Sequence, residues 1–543
     1  MSKTSVTSYL ISPGTNKGRH PATMGTSWSC NMYKEINAEN IYLTSVPGLK
    51  FIKEIFHARC RGAYVSSVGL GTQNQSENAF VVFGSRLYRI GYDGEPELLG
   101  NVASGSGRVV FAESGGINPY LLVADGTSLW AYNLIDGGEL KRITLPERVT
   151  GEGGQICPSH VAVVSGSVVI NDRTSGFVYY SVPYPLNSDT REVFATEVVD
   201  GVGQPVYEED NKYKVKQVSV DAFEYMFLDS YGVQQYFNAE TSSDNIRAIA
   251  AVGANLYLFG SKTVEIWQRG TGEYETWVRQ SYTTNASNGI QAPYSIAVCG
   301  SSLYYLGSGE SYAKGVMVAS GQNYKKISED WLDKKLLGET GDSAYGFAYA
   351  EGEHNFYVLQ LSNLRETWVY DTETGEWHQR TSRVLDSGDE TRWRVSALIR
   401  FKGEFLAFSD DGCEYSFNDA YWYEDYGLVG KRLPMIRHRQ GAVVVNDEKP
   451  FVFVELAVEC NVGTWDDYTG EPELLLEVSK DGGNTFGHVR TAKMGKTGDY
   501  SHRVRFLALG YNRLCVLRLT YSHPTSLELT ACSQRISPTT AII

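Results

Sequence analysis

One short phrase recurs along the middle of the chain: a few apolar residues, a turn containing glycine, and a second apolar strand. Seven copies can be recognised, among them FVVFGSRLYRI (80–90), YLLVADGTSLWAY (120–132) and IRFKGEFLAFSDDGCEYSF (399–417). Their starts commonly lie about 40 to 50 residues apart, which is the length of a four-stranded propeller blade. Because one such blade cannot cover both of its faces, blades pack radially around an axis. The repeat therefore predicts an all-β fold with a six- or seven-bladed β-propeller.

The patterns inside and beyond the repeat complete this prediction. The 55 glycines and 36 tyrosines suit many tight turns and many half-buried strands. A longer, more polar stretch at about 187–242 predicts a loop insertion in one blade. After residue 433, segments such as FVFVELAVEC and YSHRVRFLALG alternate apolar and polar residues, which is typical of a β-sandwich. We therefore predict an N-terminal arm and first strand at 1–58, a propeller at 59–432 and a C-terminal β-sandwich at 433–543.

One short segment has a different spacing. In EDWLDKKLLG (329–338) the apolar residues are three and four positions apart, which indicates a short helix among the strands.

The charge balance and the cysteines restrict the function. The chain has 49 Lys+Arg and 63 Asp+Glu, a formal net charge of −14 at pH 7. Its overall field therefore does not attract phosphate backbones, although an acidic wall lets DNA slide past without sticking. Eight cysteines without any C-x-x-C pair indicate free thiols and a reducing cytoplasm. Neither a secretory signal nor an apolar run of about 18 residues is recognisable, so we expect no membrane insertion.

The stretch SKDGGNTFG (479–487) resembles the Asp-box of sialidases and other propeller glycosidases. Its residues Ser479, Asp481, Gly483, Thr485 and Phe486 match S-x-D-G-G-x-T-F. A structural interpretation is complete by itself: the aspartate caps backbone N–H groups, the glycines adopt left-handed conformations, and the phenylalanine packs under the hairpin. Only one copy occurs, and it lies outside the propeller repeat. We therefore predict a structural turn rather than a catalytic element.

The remaining polar motifs point to binding rather than chemistry. The nine histidines are dispersed and no metal-ligand spacing occurs, so the sequence predicts no metal, no cofactor and no catalytic residue. The basic run Arg437-His438-Arg439 lies where the propeller should meet the sandwich. It is either a solvated face or an interface with a protein or nucleic acid. A large scaffold without a reactive constellation favours assembly over catalysis, and we expect that the chain is not an enzyme.

Several phrases along the chain resemble one known family. The first phrase consists of Asn31-Met32, Lys34-Glu35, Tyr42-Leu43, Ser45 and Pro47-Gly48. The second is SRLYRI followed by GNVASGSGRV (100–109). SDNIRAIAAVGANLYLFGSKTVEIWQRGTG (243–272), LLLEVSKDGGNTFG and TACSQRI follow in the same order as in that family. The chain resembles the packaged-DNA stabilisation protein, also called the tail hub, nozzle or tail accessory factor, of short-tailed bacteriophages that infect enterobacteria.

The resemblance implies a structural protein of the virion tail, assembled in the host cytoplasm. It implies a homohexameric ring below the portal and its adaptor, the head-to-tail connector protein. Such a ring seals and conducts the DNA, which is only cargo in the lumen, and attaches a tail needle or plug and the tailspikes or tail fibres. A rival hypothesis remains open: a sialidase-like or glycan-binding β-propeller, supported by the Asp-box-like turn and the aromatic content.

Overall fold

The computed structural model describes residues 27–37, 40–68, 77–149, 154–186, 190–194, 196–199, 202–205, 215–219, 222–229, 233–238, 245–270, 277–280, 288–309, 312–341, 343–418, 420–445, 449–462, 470–495 and 502–538. Strands dominate these ranges, and the α-helix among them is Asp330–Leu336, with short 3-10 turns at Pro293–Ser295 and Gly427–Val429. The helix confirms the predicted helical segment, and it buries Leu332 and Leu336 one turn apart. No helix in these ranges has the length and apolar character needed to span a membrane.

The repeat forms seven antiparallel blades in the described ranges. From the inside outward, the strands of blade 1 are Cys60–Ser66, Asn78–Phe83, Arg86–Ile90 and Pro96–Asn101. Those of blade 2 are Val110–Glu113, Tyr120–Ala124, Leu129–Asn133 and Gly137–Arg142. Those of blade 3 are Pro158–Val164, Ser167–Asp172, Phe177–Pro183 and Tyr236–Asn238. Blades 4 and 5 consist of Ile246–Val252, Asn255–Gly260, Val264–Arg269 and Trp277–Arg279; and Asn288–Ile290 with Ala297–Cys299, Ser302–Gly309, Tyr312–Ser320 and Asn323–Lys326.

Blade 6 consists of Ala344–Glu351, His354–Leu361, Glu366–Asp371 and Glu376–Arg383, with Glu390–Arg392 paired to its last strand. Blade 7 takes three strands from the end of the repeat, Val395–Phe401, Glu404–Ser409 and Cys413–Asn418. Its fourth strand is Gly48–Glu54 from the N-terminal part of the chain, and the hairpin Tyr423–Tyr426 and Lys431–Pro434 extends the sheet. This exchange ties the start of the propeller to its end.

Apolar side chains close the ring of blades. Seven buried clusters each join two neighbouring blades, and the cluster with Phe83 and Phe408 joins blade 7 to blade 1. Each blade thus covers a face of the neighbouring blade that would otherwise be exposed to solvent. The predicted all-β propeller is confirmed, with seven blades rather than six.

The predicted loop insertion lies between the third and fourth strands of blade 3. Two short hairpins are described there, Thr190–Phe194 with Val215–Ser219 and Thr196–Val199 with Val202–Pro205. Residues 206–214 and several neighbours lie outside the described ranges. The fourth strand, Tyr236–Asn238, resumes the blade after the insertion.

Two five-stranded sheets form the β-sandwich. The first contains Trp28–Cys30, Arg437–Gln440, Leu514–Tyr521, Glu473–Ser479 and Gly487–Lys493, with Val444–Val445 paired to its third strand. The second contains Met32–Asn37, Asn40–Ser45, Leu527–Pro538, Phe451–Val462 and His502–Asn512. Between them lies one apolar core, to which the N-terminal residues Met32 and Leu43 contribute.

The N-terminal strands correct the predicted organisation. We expected an arm at 1–58 and a sandwich made only of 433–543, but residues 28–45 supply three sandwich strands. Only the last part of the predicted arm, Gly48–Glu54, joins the propeller as expected, and residues 1–26 lie outside the described ranges. The period-2 pattern is weak in the three-residue strand Trp28–Cys30, so the sequence did not show which sheet it joins.

Candidate functional site: the junction between propeller and sandwich

The strand Trp28–Cys30, which we call the bridging strand, connects the two domains through hydrogen bonds. Cys30 pairs in parallel with Gln379 of blade 6, and Trp28, Ser29 and Cys30 pair antiparallel with Arg437–Gln440 of the sandwich. The last blade-6 strand, the bridging strand and the sandwich strands therefore form one continuous sheet. Hydrogen-bonded strands resist bending at a domain boundary, unlike a flexible linker.

Asn31 holds the chain where it leaves the bridging strand. Its backbone is left-handed, with φ of 53°, a conformation that asparagine tolerates better than most residues. Its Oδ1 accepts a hydrogen bond from the Thr381 N–H at 3.1 Å. Its Nδ2 donates to Thr381 Oγ1 at 3.1 Å and to the Ile436 carbonyl at 2.7 Å. One buried side chain thereby links blade 6 to the first C-terminal strand of the sandwich.

A buried histidine joins a propeller carboxylate to a sandwich carboxylate. Nδ1 of His354 lies 2.8 Å from Asp371 Oδ2 in blade 6, and Nε2 lies 3.2 Å from Glu35 Oε2 in the second sandwich sheet. The hydrogen bond to Asp371 is the largest cause that raises the pKa of His354 to about 9, against the opposing effect of burial. The imidazolium form is therefore favoured at neutral pH, with one anion on each side of the junction.

Two further pairs of polar side chains cross the same junction. Lys34 Nζ lies 3.2 Å from Glu376 Oε1, so a sandwich lysine contacts a propeller glutamate. His438 Nε2 lies 2.7 Å from Glu390 Oε2, and its Nδ1 lies 2.9 Å from Thr520 Oγ1. The Glu390 carboxylate also accepts a hydrogen bond from Thr381 Oγ1 at 2.8 Å. The junction is thus held by directed polar contacts, and Tyr33 of the sandwich also packs against Phe356 of blade 6.

The basic run Arg437-His438-Arg439, expected to be either a solvated face or an interface with a protein or nucleic acid, is not a solvated face. The Arg437 and Arg439 side chains are both buried, because their strand lies between the bridging strand and Leu514–Tyr521. Burial lowers the pKa of each guanidinium to about 10. Arg437 donates to the His523 carbonyl at 3.1 Å and lies over the rings of Trp422 and Tyr521. The predicted location at the junction is right, but the run connects the domains internally.

A further buried arginine lies in blade 6, where no sequence motif marked it. Arg380 is fully buried and lies within 6 Å of the ring centres of Tyr349, Phe356, Trp393 and Phe417. One of its nitrogens donates to the Tyr349 hydroxyl. Cation–π contacts of this kind are strongest when the cation is desolvated. The sequence shows only an arginine in a strand, so neither its burial nor its ring of partners was predictable.

The Asp-box-like residues form the predicted structural turn. Asp481 Oδ1 accepts hydrogen bonds from the N–H groups of Asn484 and Thr485 and from Ser479 Oγ, and Oδ2 accepts from Thr485 Oγ1. These contacts, led by that of Ser479, hold the pKa of Asp481 well below its usual range. Gly482 and Gly483 are left-handed, with φ of 78° and 98°.

Phe486 lies at the end of the same turn. It is half-buried, and the Arg518 guanidinium lies 4.0 Å above its ring. The Asp481 carboxylate makes its hydrogen bonds to other residues of the turn. The turn therefore gives no support to a sugar-binding role.

The propeller axis contains a cavity of about 860 Å³. The innermost strand of every blade lines it, mostly with small or apolar residues such as Ala63, Val110, Val161, Ile249, Val298, Ala348 and Leu398. Among its polar side chains, Arg108 donates hydrogen bonds to the backbone carbonyls of Cys60 and Ser396, at 3.2 and 3.0 Å, and so links blades 1 and 7. Burial lowers the pKa of His160 to about 4, which keeps that ring neutral at pH 7. Within the described ranges, no three His, Cys, Asp or Glu side chains are placed to hold a metal ion.

Family models match two parts of the chain. The model described as Bacteriophage P22 Gp10, β-propeller, matches residues 225–413, and the model described as Bacteriophage P22 Gp10, β-sandwich, matches residues 436–537. Together the matches cover more than half of the 543 residues. The comparison with curated proteins gives no significant match.

Solved structures match the chain at low identity and with low TM-scores. Virginiamycin B lyase from Staphylococcus aureus is 9% identical, with a TM-score of 0.39, over 68% of this chain and 98% of that chain. BamB from Moraxella catarrhalis is 10% identical, with a TM-score of 0.32, over 73% and 94%. The N-terminal domain of Nup159 is 10% identical, with a TM-score of 0.33, over 72% and 99%. Likenesses at this level carry no argument about what the chain does.

Proposed function

The chain belongs to the family of bacteriophage P22 Gp10, a structural component of the phage tail, and from this premise we propose that it forms a homohexameric ring. The ring lies below the portal and its adaptor, seals and conducts the DNA, and attaches the tail needle and the tailspikes or fibres. Assembly takes place in the host cytoplasm, before the finished tail becomes part of the virion. The two family matches, one for each domain in the expected order, are the observation that carries this proposal.

The junction supports a ring-forming role because a ring needs a subunit of fixed shape. Heterologous contacts close into a ring only when every subunit repeats the same rotation. A subunit with a free hinge between its domains would give variable rotations and open or irregular assemblies. The continuous sheet through the bridging strand and the buried His354 ion pairs oppose such a hinge.

One face of the sandwich has the properties of an assembly surface. It is formed by Gly487–Lys493 and His502–Asn512, the outermost strands of the two sandwich sheets in the described ranges, and we call it the sandwich edge face. Arg490 ties the strands together by donating to the carbonyls of Leu507 and Ala508, both at 2.8 Å. Val489, Leu507 and Tyr511 are each more than half exposed there. Outermost strands that expose apolar side chains favour pairing with another chain.

The charge distribution suggests which surface the sandwich edge face meets. Residues 436–543 contain 12 Lys+Arg and 12 Asp+Glu, so the whole formal charge of −14 lies in residues 1–435. Arg490 and Arg503 are both exposed on the sandwich edge face. A head-to-tail contact, in which this face meets the acidic propeller of the next copy, pairs opposite charges at every step around the ring.

Electron microscopy of the purified protein, alone and with its adaptor, tests the proposal. We expect sixfold rings with the wild-type chain. Changing Val489 and Leu507 together to Asp should abolish the rings, since two buried charges would be left without partners. Ile117→Asp is the matched control, because Ile117 is exposed on a blade-2 loop away from the sandwich edge face. A wild-type chain that stays monomeric with and without the adaptor would overturn the proposal.

A further inference from the structure

A turn of blade 5 interrupts the wall of the cavity on the propeller axis, which we call the axial cavity. The inner strand of this blade is in two pieces, Asn288–Ile290 and Ala297–Cys299, and the 3-10 turn Pro293–Ser295 lies between them. In the other six blades the inner strand is continuous. Pro293 and Tyr294 both line the axial cavity, and we call Pro293–Ser295 the closing turn.

The closing turn reaches across the axis to blades 3 and 2. The Pro293 carbonyl oxygen lies 3.1 Å from Nε2 of His160 in blade 3. The Tyr294 ring stacks on the same imidazole, with ring centres 5.1 Å apart. The Tyr294 hydroxyl also lies 3.8 Å from the position that a Cβ atom on Gly126 of blade 2 would take. Since blade 2 lies on the far side of the axis from blade 5 in a ring of seven, the turn spans one mouth of the axial cavity.

The direction of the inner strands distinguishes the two ends of the axial cavity. His160 lies near the start of Pro158–Val164, so the closing turn covers the end at which the inner strands begin. Val298, Ala350 and Arg400 lie near the other ends of their strands, line the cavity and are exposed. The axial cavity is thus a pocket that is closed where the inner strands begin and open where they end.

The lining of the axial cavity is mostly apolar, with glycine, alanine, branched aliphatic and aromatic residues from all seven blades. Its charged or imidazole side chains are Arg108, Glu113, His160 and Arg400. Arg108 donates to two backbone carbonyls, and His160 contacts the closing turn. Glu113 accepts a hydrogen bond from Ser66 Oγ at 2.8 Å. These three side chains are therefore engaged with the wall of the cavity itself.

Arg400 differs from the other three. In the described part of the chain it has no hydrogen bond or ion pair, and its guanidinium lies 5.9 Å from the ring centre of Phe405, which also lines the cavity. A guanidinium at the mouth of an apolar pocket can hold a carboxylate through two parallel N–H···O bonds while the pocket takes an apolar body. Glu113, at the same end, disfavours a second negative charge. The chemistry therefore fits a molecule with an apolar body and one carboxylate.

We propose that the axial cavity is a binding site for a small apolar monocarboxylate of the fatty-acid type. The apolar chain enters at the open end and extends toward the closing turn, and the carboxylate stays at the mouth against Arg400. The site lies within one chain, so the proposal does not depend on ring formation.

Isothermal titration calorimetry of the full chain with hexanoate, octanoate and decanoate tests the proposal. We expect a single saturable site, with binding about three- to fourfold tighter for each added CH₂ group. Decylammonium, which has the same chain length and the opposite charge, should bind more weakly than decanoate. Arg400→Gln should weaken decanoate binding about two- to fivefold, as for an exposed ion pair, and added salt should reduce this difference.

Arg173→Gln is the matched control, because Arg173 is an exposed arginine of blade 3 that does not line the axial cavity. It should leave the affinity for decanoate unchanged. A wild-type chain without saturable binding of decanoate would overturn the proposal, as would equal affinities for decanoate and decylammonium. An unchanged affinity in Arg400→Gln would place the ligand elsewhere, and equal weakening by both substitutions would reflect the charge of the whole surface. Either result would also overturn the proposal.

Discussion

Blades contact one another through apolar faces, whereas the propeller contacts the sandwich mainly through polar and charged side chains. Between blades 7 and 1, Phe83 and Phe408 pack in a fully buried cluster. At the domain junction, Asn31, His354 and Glu35 make directed hydrogen bonds instead. Apolar packing is strong but tolerant of small shifts, while buried polar contacts require one geometry. The comparison indicates that blade packing supplies most of the stability and that the junction fixes the angle between the domains.

The largest effect should come from blade packing. Phe408→Ala removes a fully buried ring between blades 7 and 1 and leaves a cavity. The free energy of unfolding should fall by about 3–5 kcal/mol, measured by denaturant unfolding. Ile117→Ala, at an exposed position, should change it by less than about 0.5 kcal/mol. A loss below about 1 kcal/mol for Phe408→Ala would mean that the blades do not close as described.

The next largest effect should come from the junction. Asn31→Ala removes the acceptor of the buried Thr381 N–H and places a Cβ-bearing residue without a polar side chain at φ of 53°. We expect a loss of about 2–4 kcal/mol in the free energy of unfolding. Asn31→Gly relieves the backbone strain but not the lost hydrogen bonds, so it should cost about 1 kcal/mol less. Equal losses for the two variants would show that the left-handed backbone contributes nothing.

The junction should also weaken at alkaline pH. The pKa of His354 is raised to about 9 in the folded chain, above the ordinary value of 6.5. Its contribution is therefore fully present below pH 6.5 and disappears as pH rises through 9. The groups that face it are Asp371 and Glu35, with Tyr33 and His378 nearby.

The measurement is the difference in the free energy of unfolding between wild type and His354→Gln across this pH range. The difference should shrink by at most about 3 kcal/mol between pH 6.5 and 9, the value that the shift in pKa corresponds to. Burial and the nearby Arg380 lower the pKa of His378, but that residue is present in both proteins and largely cancels. A difference that grows with pH would show that His354 is not protonated at the junction.

The smallest effect should come from the Asp-box-like turn. Asp481→Ala breaks the contacts with Thr485 and Ser479 in an exposed turn, far from blade packing and from the junction. The unfolding midpoint should move less than in Phe408→Ala, Asn31→Ala or His354→Gln. Because the pKa of Asp481 is held below its usual range, the small effect should be present at neutral pH and vanish in acid. An effect as large as that of Asn31→Ala would contradict the comparison.

The two kinds of contact differ in how far sequence could predict them. Blade packing repeats, and period-2 apolar strands with glycine turns such as FVVFGSRLYRI signal it locally. The fold class, the propeller and the sandwich were therefore predictable. Junction contacts join residues hundreds of positions apart, as Asn31 and Thr381 do, and spacing along the chain carries no trace of them. The phrase with Asn31-Met32 and Lys34-Glu35 contains three residues that make junction contacts, but its sequence pattern indicates only a family resemblance.

Burial was the second limit on prediction. Arg437 and Arg439 stand in a basic run, and a run of charges usually marks a solvated face. Their strand became internal because the bridging strand, from the other end of the sequence, pairs with it. The Asp481 turn was predictable because all of its partners lie within four residues.

The distance between the two domains tests most directly the central claim that propeller and sandwich form one rigid body. Spin labels at Ile117→Cys on the propeller and Val489→Cys on the sandwich use two exposed positions, with the partly exposed Cys157 and Cys299 replaced by serine. Pulsed electron spin resonance should give a single narrow distance distribution at neutral pH. A broad or two-peaked distribution in the folded protein would contradict a fixed junction and remove the support that it gives to ring assembly.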